Sequence, residues 1–258
     1  MAHLYVQFEI KEAVGTITLN HPEKRNALSL AMLKELDGLL DEIKERQDIK
    51  VIIIQGAGKV FSSGHDISEM VGKGMADYRE IFEVCSRFML KLQELPQPVI
   101  AKVHGVATAA GCQLVAACDL AVAEEGTQFG TPGVRIGFFC STPAIPLVRA
   151  VGRKRALEML FTGRMVSARE AEQYGLINKA VPADRLDEEV RATAEKIAEA
   201  SRLTLGIGKQ AFYTQVNLSD AQAYAHGNQV MVANLFAEDA AEGLKAFLEK
   251  RKPVWKNR

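Results

Sequence analysis

Residues 98–123, PVIAKVHGVATAAGCQLVAACDLAVA, place a strand, a run of small residues, a helix and another strand in one short stretch. The apolar segment PVIAKV (98–103) predicts one strand, and DLAVA (119–123) predicts a second. Between them, GCQLVAA (111–117) predicts a short buried helix. Strands that alternate with helices indicate an α/β core, yet this spacing is too short for a regular doubly wound sheet.

The stretches before this segment repeat the alternation of strands and helices. YVQFEI (5–10) and VGTITLN (14–20) alternate with period two and predict a hairpin. A helical pattern runs from residue 29 to about residue 46, and VIIIQ (51–55) is typical of a strand that is buried on both faces. Apolar residues spaced over 81–92 predict another amphipathic helix.

Helical signals dominate the second half of the chain. LINKAVP (176–182) predicts a single strand there. Helices are predicted over residues 185–200, 204–215, 220–236 and 238–251. We therefore predict a spiral α/β core over residues 1–190 and a helical C-terminal region over residues 191–258.

Composition and charge narrow the class of protein. Lys and Arg number 32 and are balanced by 32 Asp and Glu, which argues against binding to nucleic acid or to an anionic membrane. No apolar stretch approaches the roughly 18 residues of a membrane span. The four cysteines lack a CxxC pair, so we expect reduced thiols and no metal site, in the cytoplasm or an organelle matrix. Because the N-terminus shows no signal peptide or other targeting segment, we expect the cytoplasm.

Two segments carry candidate chemistry. QGAGKVFSSGHD (55–66) lacks the third glycine of a dinucleotide-binding loop and the GxSxG of a serine nucleophile. In HGVATAAGCQLVAACD (104–119), small residues precede a helix whose first N–H groups suit an anion. Taken alone, the first segment could be a plain loop, and the second could reflect tight packing of a helix on a strand.

Together, FSSGHD (61–66) and AAGCQL (109–114) resemble the crotonase (enoyl-CoA hydratase/isomerase) family, and within it the enoyl-CoA hydratase domain-containing 3 subgroup. The resemblance implies a crotonase-type spiral of β-β-α units and a C-terminal helical trimerisation module. Trimers or dimers of trimers are then expected. Further segments similar to the family are HPEKRNALS (21–29), TQFGTPGVRIG (127–137), LEMLFTGRMVSAREAEQYGLINKAVP (157–182) and FLEKRKPVWK (247–256).

The resemblance also implies an acyl-CoA substrate and no separate cofactor. The peptide N–H groups of His65 and Ala110 would form an oxyanion hole for the thioester carbonyl. In such a site one donor contributes roughly 3–4 kcal/mol to the stability of the transition state. Lys250 would reach a phosphate of CoA, for which a lysine serves as a point charge. Contacts to CoA would come from Lys24, Arg25, Ser63, Gly64, His65, Asp66, Ile67 and Lys250.

Two positions depart from the family's hydratases, which use two glutamates where this chain has Gln113 and Gly133. Neither residue can transfer a proton, so efficient hydration of enoyl-CoA is not expected. Cys140, with Ser141 and Thr142, would line the acyl pocket. The Cys140 thiol and the His65 imidazole are the remaining candidates for accepting a proton.

Two classes of function therefore stay open at this point. The first is an enzyme of the lyase or isomerase type, acting on an acyl-CoA through a stabilised enolate. The second is a non-catalytic acyl-CoA-binding or regulatory protein.

Overall fold

Residues 4–258 are described by a computed structural model, and its first strands lie where the sequence alternates. β1 (Val6–Lys11) pairs antiparallel with β2 (Val14–Leu19), which confirms the predicted hairpin. Residues 1–3, on which the expected absence of a signal peptide partly rests, lie outside the described residues.

A six-stranded sheet forms the centre of the fold, and its strands are parallel beyond the hairpin. Alternate residues of the third strand face opposite layers. Ile52 and Ile54 pack in the main core, whereas Val51 and Ile53 pack in a second cluster. The continuous apolar run VIIIQ is thus explained by burial on both faces. Across the sheet, β2 is followed by β3 (Val51–Gly56), β4 (Val99–Val103), β6 (Leu120–Glu124) and β9 (Lys179–Val181).

Helices cover both faces of this sheet. α1 (Leu30–Glu45) and α2 (Met75–Glu94) supply the main core, while α7 (Leu186–Ala198) packs Val190 and Ala194 on the opposite face. All three were predicted, although α2 begins six residues before the periodic stretch 81–92. The expected boundary at residue 190 falls inside α7, and the division into a core and an oligomerisation region stays a prediction.

A second sheet of three short strands lies beside the first and was not predicted. Each of its strands has three residues, too few to display an alternation. The chain leaves β4 for this sheet at Gly105, whose φ is +62° and where a Cβ atom would collide with the carbonyl oxygen of Lys59. The strands are β5 (Val106–Thr108), β7 (Gln128–Gly130) and β8 (Met165–Ser167).

One strand in each sheet, followed by a helix, is the repeating unit of the core. β4 and β5 lead into α3 (Ala110–Ala117), and β6 and β7 lead through the 3-10 turn Pro132–Ile136 into α4 (Ser141–Val151). This β-β-α order explains the short spacing of the strands. The chain continues through α5 (Arg153–Thr162) and α6 (Ala168–Tyr174) before β9.

The C-terminal helices are α8 (Arg202–Gln215), α9 (Asp220–Leu235) and α10 (Glu238–Leu248), close to the predicted ranges. A buried cation on α8 joins it to the sheet layer. The Lys209 ammonium donates to the carbonyl oxygens of Leu92 at 2.7 Å and Gln97 at 2.9 Å, and it pairs with Asp119 at 2.7 Å.

The outer C-terminal helices leave a large apolar surface exposed. α9, which lies wholly within the described part of the chain, buries none of its residues. Phe236 is 87% exposed and Phe247 is 81% exposed, which is unusual for side chains of this size. The exposed apolar side chains here are Tyr224, Met231, Val232, Leu235, Phe236, Leu244, Phe247 and Leu248.

Neither a membrane span nor a metal cluster is found between residues 4 and 258. None of the helices there combines the length and the apolar character that crossing a membrane requires. No three or more His, Cys, Asp or Glu side chains in that range are grouped so that they could hold a metal ion.

Candidate active site

The segments FSSGHD and HGVATAAG lie side by side, joined by a short parallel ladder. The Phe61 N–H donates to the carbonyl oxygen of His104 at 3.0 Å, and the Ser62 N–H donates to Val106 at 3.1 Å. In return, the Thr108 N–H donates to the carbonyl oxygen of Ser62 at 3.0 Å. Segments about 45 residues apart in the chain are thereby held in fixed register.

Glycine is required where the two segments touch. Gly64 has φ +93°, and a Cβ atom there would lie 2.8 Å from the Ala109 Cβ and 2.9 Å from the Thr108 oxygen. At Gly111 a Cβ atom would lie 2.5 Å from the carbonyl oxygen of Ser62. A side chain at either position would push the segments apart, so small residues here serve a close backbone approach.

Two peptide N–H groups at this junction have no acceptor in the part of the chain that the structure describes. α3 begins at Ala110, and Ala109 before it has φ 49° and ψ −118°, an uncommon conformation for a non-glycine residue. The Ala109 N–H donates a hydrogen bond to the carbonyl oxygen of Gly130 at 2.9 Å. Within residues 4–258, the N–H groups of Ala110 and of His65 make no backbone or side-chain hydrogen bond.

A cavity of about 520 Å³, a common size for a small-molecule site, opens beside these groups. Most of its wall is apolar. The residues that line it are Ser63, His65, Ile67, Met70, Phe82, Thr108, Ala109, Ala110, Pro132, Gly133, Arg135, Ile136, Phe138, Phe139, Cys140, Ser141, Thr142 and Pro143.

The structure gathers several of the predicted residues in this lining and leaves others outside. His65, Ala110 and Gly133 share the cavity, as do Ser63 and Ile67 from the predicted CoA contacts. The predicted liners Cys140, Ser141 and Thr142 also lie there. Outside the lining are Lys24, Arg25, Gly64, Asp66, Gln113 and Lys250.

Neither position that replaces a glutamate offers a proton-transfer group. Gln113 lies on α3 one turn after Ala110 and is only 3% exposed, and its Oε1 lacks a partner among the described residues. At Gly133 a Cβ atom would collide with the carbonyl oxygen of Phe138 and would lie 2.8 Å from the Cys140 Sγ. A glutamate side chain therefore has no room at position 133 unless the following loop moves.

The two remaining proton acceptors differ in their environment. Burial lowers the pKa of the His65 imidazole below its ordinary value, so the ring is neutral at pH 7. Its Nδ1 lies 3.3 Å from the Leu28 carbonyl oxygen. Burial raises the pKa of the Cys140 thiol, although an N–H from Gly133 partly opposes this. Cys140 is accordingly protonated and unsuited to act as a base at neutral pH.

The cations predicted to meet CoA lie on the surface. Lys24 is exposed and faces Asp66, with Nζ and Oδ2 3.7 Å apart. Arg25 has φ 53°, and its carbonyl oxygen accepts the Ser63 N–H at 3.0 Å, so its loop is fixed to the FSSGHD segment. Lys250 is exposed and follows α10 with φ 55°.

Sequence reasoning missed several side chains of the lining, among them Phe82, Phe138 and Arg135. Phe82 lies beside the buried stripe of α2, and its ring stacks on Phe138 with centroids 6.0 Å apart. Arg135 makes no ion pair or hydrogen bond with other residues of 4–258. The segment TQFGTPGVRIG (127–137) resembled the family, but nothing in it distinguishes Arg135 from a surface residue, and Phe138 lies just beyond it.

Comparisons with known proteins agree with this geometry. The family model described as enoyl-CoA hydratase/isomerase matches residues 9–258. The rat mitochondrial enoyl-CoA hydratase domain-containing protein 3 is 51% identical over 95% of this chain and 82% of its own length. Its human counterpart, also named as mitochondrial, is 51% identical over 95% of this chain and 81% of its length. The compartment in these names differs from the cytoplasm that the sequence led us to expect.

Solved structures confirm the fold. The crystal structure of human enoyl coenzyme A hydratase domain-containing protein 3 superposes with a TM-score of 0.96 and 49% identity, covering 98% of this chain and 100% of that one. An enoyl-CoA hydratase from Mycobacterium smegmatis gives 0.96 and 44% identity, covering 98% and 99%. The resemblance to the domain-containing 3 subgroup and the crotonase-type α/β fold are confirmed, while the trimerising role of the C-terminal helices stays a prediction. The chain belongs to the enoyl-CoA hydratase/isomerase family.

Proposed function

We propose that this protein binds an acyl-CoA thioester and stabilises its enolate in an oxyanion hole formed by the N–H groups of His65 and Ala110. One observation supports this above the others. Two N–H groups that have no acceptor among residues 4–258 belong to residues that line one apolar cavity. An acceptor bound in this cavity can take a hydrogen bond from both groups, which would satisfy the free N–H at the start of α3 as well.

The site suits a negatively charged oxygen for two reasons. Ala110 is the first residue of α3, where the helix dipole contributes a partial positive charge. The ladder between the two segments fixes both donors before the ligand arrives, so little reorganisation is needed when charge develops. A fixed donor of this kind contributes roughly 3–4 kcal/mol to the stability of a transition state.

The chemistry of the surface indicates which residues would bind the other parts of the ligand. The apolar lining would hold the acyl chain, and Ser63, Gly64, Asp66 and Ile67 would follow the pantetheine and adenine. Lys24, Arg25 and Lys250 are exposed cations that would meet the phosphates. No separate cofactor is proposed. The apolar surface of α9 and α10 would be covered by further copies of the chain, in a trimer or a dimer of trimers.

The reaction is one of the lyase or isomerase type in acyl-CoA metabolism, and hydration should be slow. Turnover of crotonyl-CoA below about 10 per second, the median for enzymes, is the expected result. A second function, an acyl-CoA-binding or regulatory protein without catalysis, is favoured by one observation. No carboxylate is present in the lining that residues 4–258 provide.

The oxyanion hole can be tested without relying on catalysis. Acetoacetyl-CoA forms an enolate that absorbs in the near ultraviolet, so its enolate fraction can be read when it binds. The bound ligand should be more ionised than the free ligand at the same pH. Replacing the residue 110 amide by an ester, with lactate in place of alanine, removes the N–H and otherwise only weakens the Ala109 carbonyl as an acceptor for the Gln113 N–H. Loss of one hydrogen bond to a charge should reduce ionisation by roughly 10- to 100-fold.

A matched control is available in the same helix. An ester at Ala117 also removes an N–H from α3, but Ala117 does not line the cavity. It should leave the ionisation of bound acetoacetyl-CoA unchanged. Equal ionisation of bound and free ligand in the natural protein would contradict the proposed oxyanion hole.

A further inference from the structure

The imidazole of His65 lines the cavity and carries a polar atom without a partner. Its Nδ1 lies 3.3 Å from the Leu28 carbonyl oxygen, and since a carbonyl only accepts, Nδ1 carries the proton. Nε2 is then the atom with the free lone pair. It is buried and has no hydrogen-bond partner in residues 4–258. An unpaired buried atom of this kind calls for an explanation.

The other ionisable side chains of the lining cannot accept a proton at neutral pH. The Cys140 thiol stays protonated because burial raises its pKa. Arg135 carries a guanidinium, which is always protonated. In the lining formed by residues 4–258, the neutral His65 ring is therefore the one ionisable group that can act as a base.

The charged groups around the ring are engaged elsewhere or exposed. Lys24 faces Asp66 at 3.7 Å, and the Glu69 carboxylate accepts the Leu30 N–H at 2.8 Å. On α2, Arg79 and Glu83 lie 4.0 Å apart on the surface. On α2, the ionisable side chains within one turn of Phe82, whose ring meets His65, are Tyr78, Arg79, Glu80, Glu83 and Cys85. On the other segments around the ring they are Lys24, Asp66, Glu69, Arg135 and Cys140.

We propose that the His65 imidazole is the general base of this site and that its Nε2 removes a proton from Cα of the bound acyl-CoA. This rests on the proposed function, because the thioester oxygen must occupy the oxyanion hole. The Cα–H bond breaks, its electron pair forms a double bond to the carbonyl carbon, and the carbonyl π pair moves to the oxygen. The imidazolium then returns the proton to the acyl chain, which restores the neutral ring.

Aromatic side chains border the His65 ring. The Phe82 ring stands edge-on to the imidazole, with centroids 5.5 Å apart, and also stacks on Phe138.

Deuterium exchange at Cα of butyryl-CoA in D₂O, followed by proton NMR, tests this step whatever the natural reaction is. His65→Gln keeps the peptide N–H of residue 65 but removes the base. Exchange should fall by at least roughly 10²-fold, the lower limit for a positioned base, while butyryl-CoA binding by calorimetry is retained. His226→Gln, on α9 outside the cavity, is the matched control and should exchange like the natural protein.

The pH profile of the natural protein separates the two candidate bases. With His65 as the base, exchange is level between about pH 7 and about pH 9 and falls in acid, because the ring has a lowered pKa. A thiol base would still gain activity through about pH 9. The pH profile therefore distinguishes His65 from Cys140 as the base even if the His65→Gln protein does not fold.

Three results would overturn the proposal. The first is a His65→Gln protein that binds butyryl-CoA and exchanges as fast as the natural protein. The second is a natural protein that binds butyryl-CoA without any exchange, and the third is a rate that keeps rising through about pH 9. Failure of the natural protein to bind butyryl-CoA at all would instead refute the proposed function, and this inference with it.

Discussion

Replacing Lys209 by Met should destabilise the protein by about 3–5 kcal/mol, the usual effect of removing one partner of a buried ion pair. The Lys209 side chain is 6% exposed, and its ammonium has three partners in Leu92, Gln97 and Asp119. Methionine is similar in length and flexible, so the packing of the aliphatic stem is largely kept. The effect therefore reports the loss of the charge and its hydrogen bonds.

The magnitude follows from what the substitution leaves behind. The carbonyl oxygens of Leu92 and Gln97 lose a buried donor, at about 1–3 kcal/mol each. Asp119 keeps two other donors, the Tyr213 hydroxyl at 2.8 Å and the Val99 N–H at 2.7 Å. Its carboxylate is also 16% exposed, so water can replace part of the lost interaction. These opposing effects keep the total near about 3–5 kcal/mol.

Urea unfolding followed by circular dichroism measures this change, at one protein concentration because association adds to stability. Lys196→Met is the matched control, since Lys196 pairs with Glu199 on the exposed surface of α7. It should leave the unfolding midpoint nearly unchanged. A double-mutant cycle with Asp119→Asn should give a coupling of at least about 1 kcal/mol. A Lys209→Met protein that unfolds at the same urea concentration as its parent would refute the reasoning.

Three further predictions concern assembly, ligand contacts and pH. Light scattering at micromolar concentration should show a trimer or a hexamer, because association would bury the exposed apolar surface of α9 and α10. A monomeric mass would contradict this prediction. Lys250→Ala should weaken binding of an acyl-CoA more than binding of a pantetheine thioester without the nucleotide, and equal losses by calorimetry would exclude a phosphate contact. Burial lowers the pKa of His65, so its contribution to stability is complete above about pH 6.5 and is lost as the pH falls through the folded pKa. His65→Gln should flatten that acid slope in urea unfolding, and an unchanged slope would assign it to other groups.

Sequence patterns predicted the elements that bury long apolar stretches. VIIIQ (51–55) predicted a strand that is buried on both faces, and β3 is covered by α1 and α2 on one face and by α7 on the other. The three short strands could not be predicted, since three residues are too few to display an alternation. In β5, for example, the backbone of Thr108 meets Ser62, a pairing that no local pattern reveals.

Family motifs predicted the two candidate backbone donors, whereas no sequence signal pointed to several side chains that fill the cavity. His65 and Ala110 were identified because family motifs mark their positions. Phe82 was not identified, because the helical pattern of α2 places it at the edge of the buried face. Partly exposed residues commonly occupy such positions, so the pattern does not mark Phe82 as a site residue. The exposed position of Lys250 leaves its expected phosphate contact a prediction.

The closed space at Gly133 constrains how this chain could change over generations. A single nucleotide change converts some glycine codons to glutamate, so the genetic distance to a hydratase residue is small. The structural obstacle is greater, because the Cβ atom of the new side chain would collide with the Phe138 carbonyl oxygen and the Cys140 sulfur. Placing a glutamate at position 133 would therefore require earlier changes in residues 137–140 that open the loop. For this position, the order of such substitutions matters more than their number.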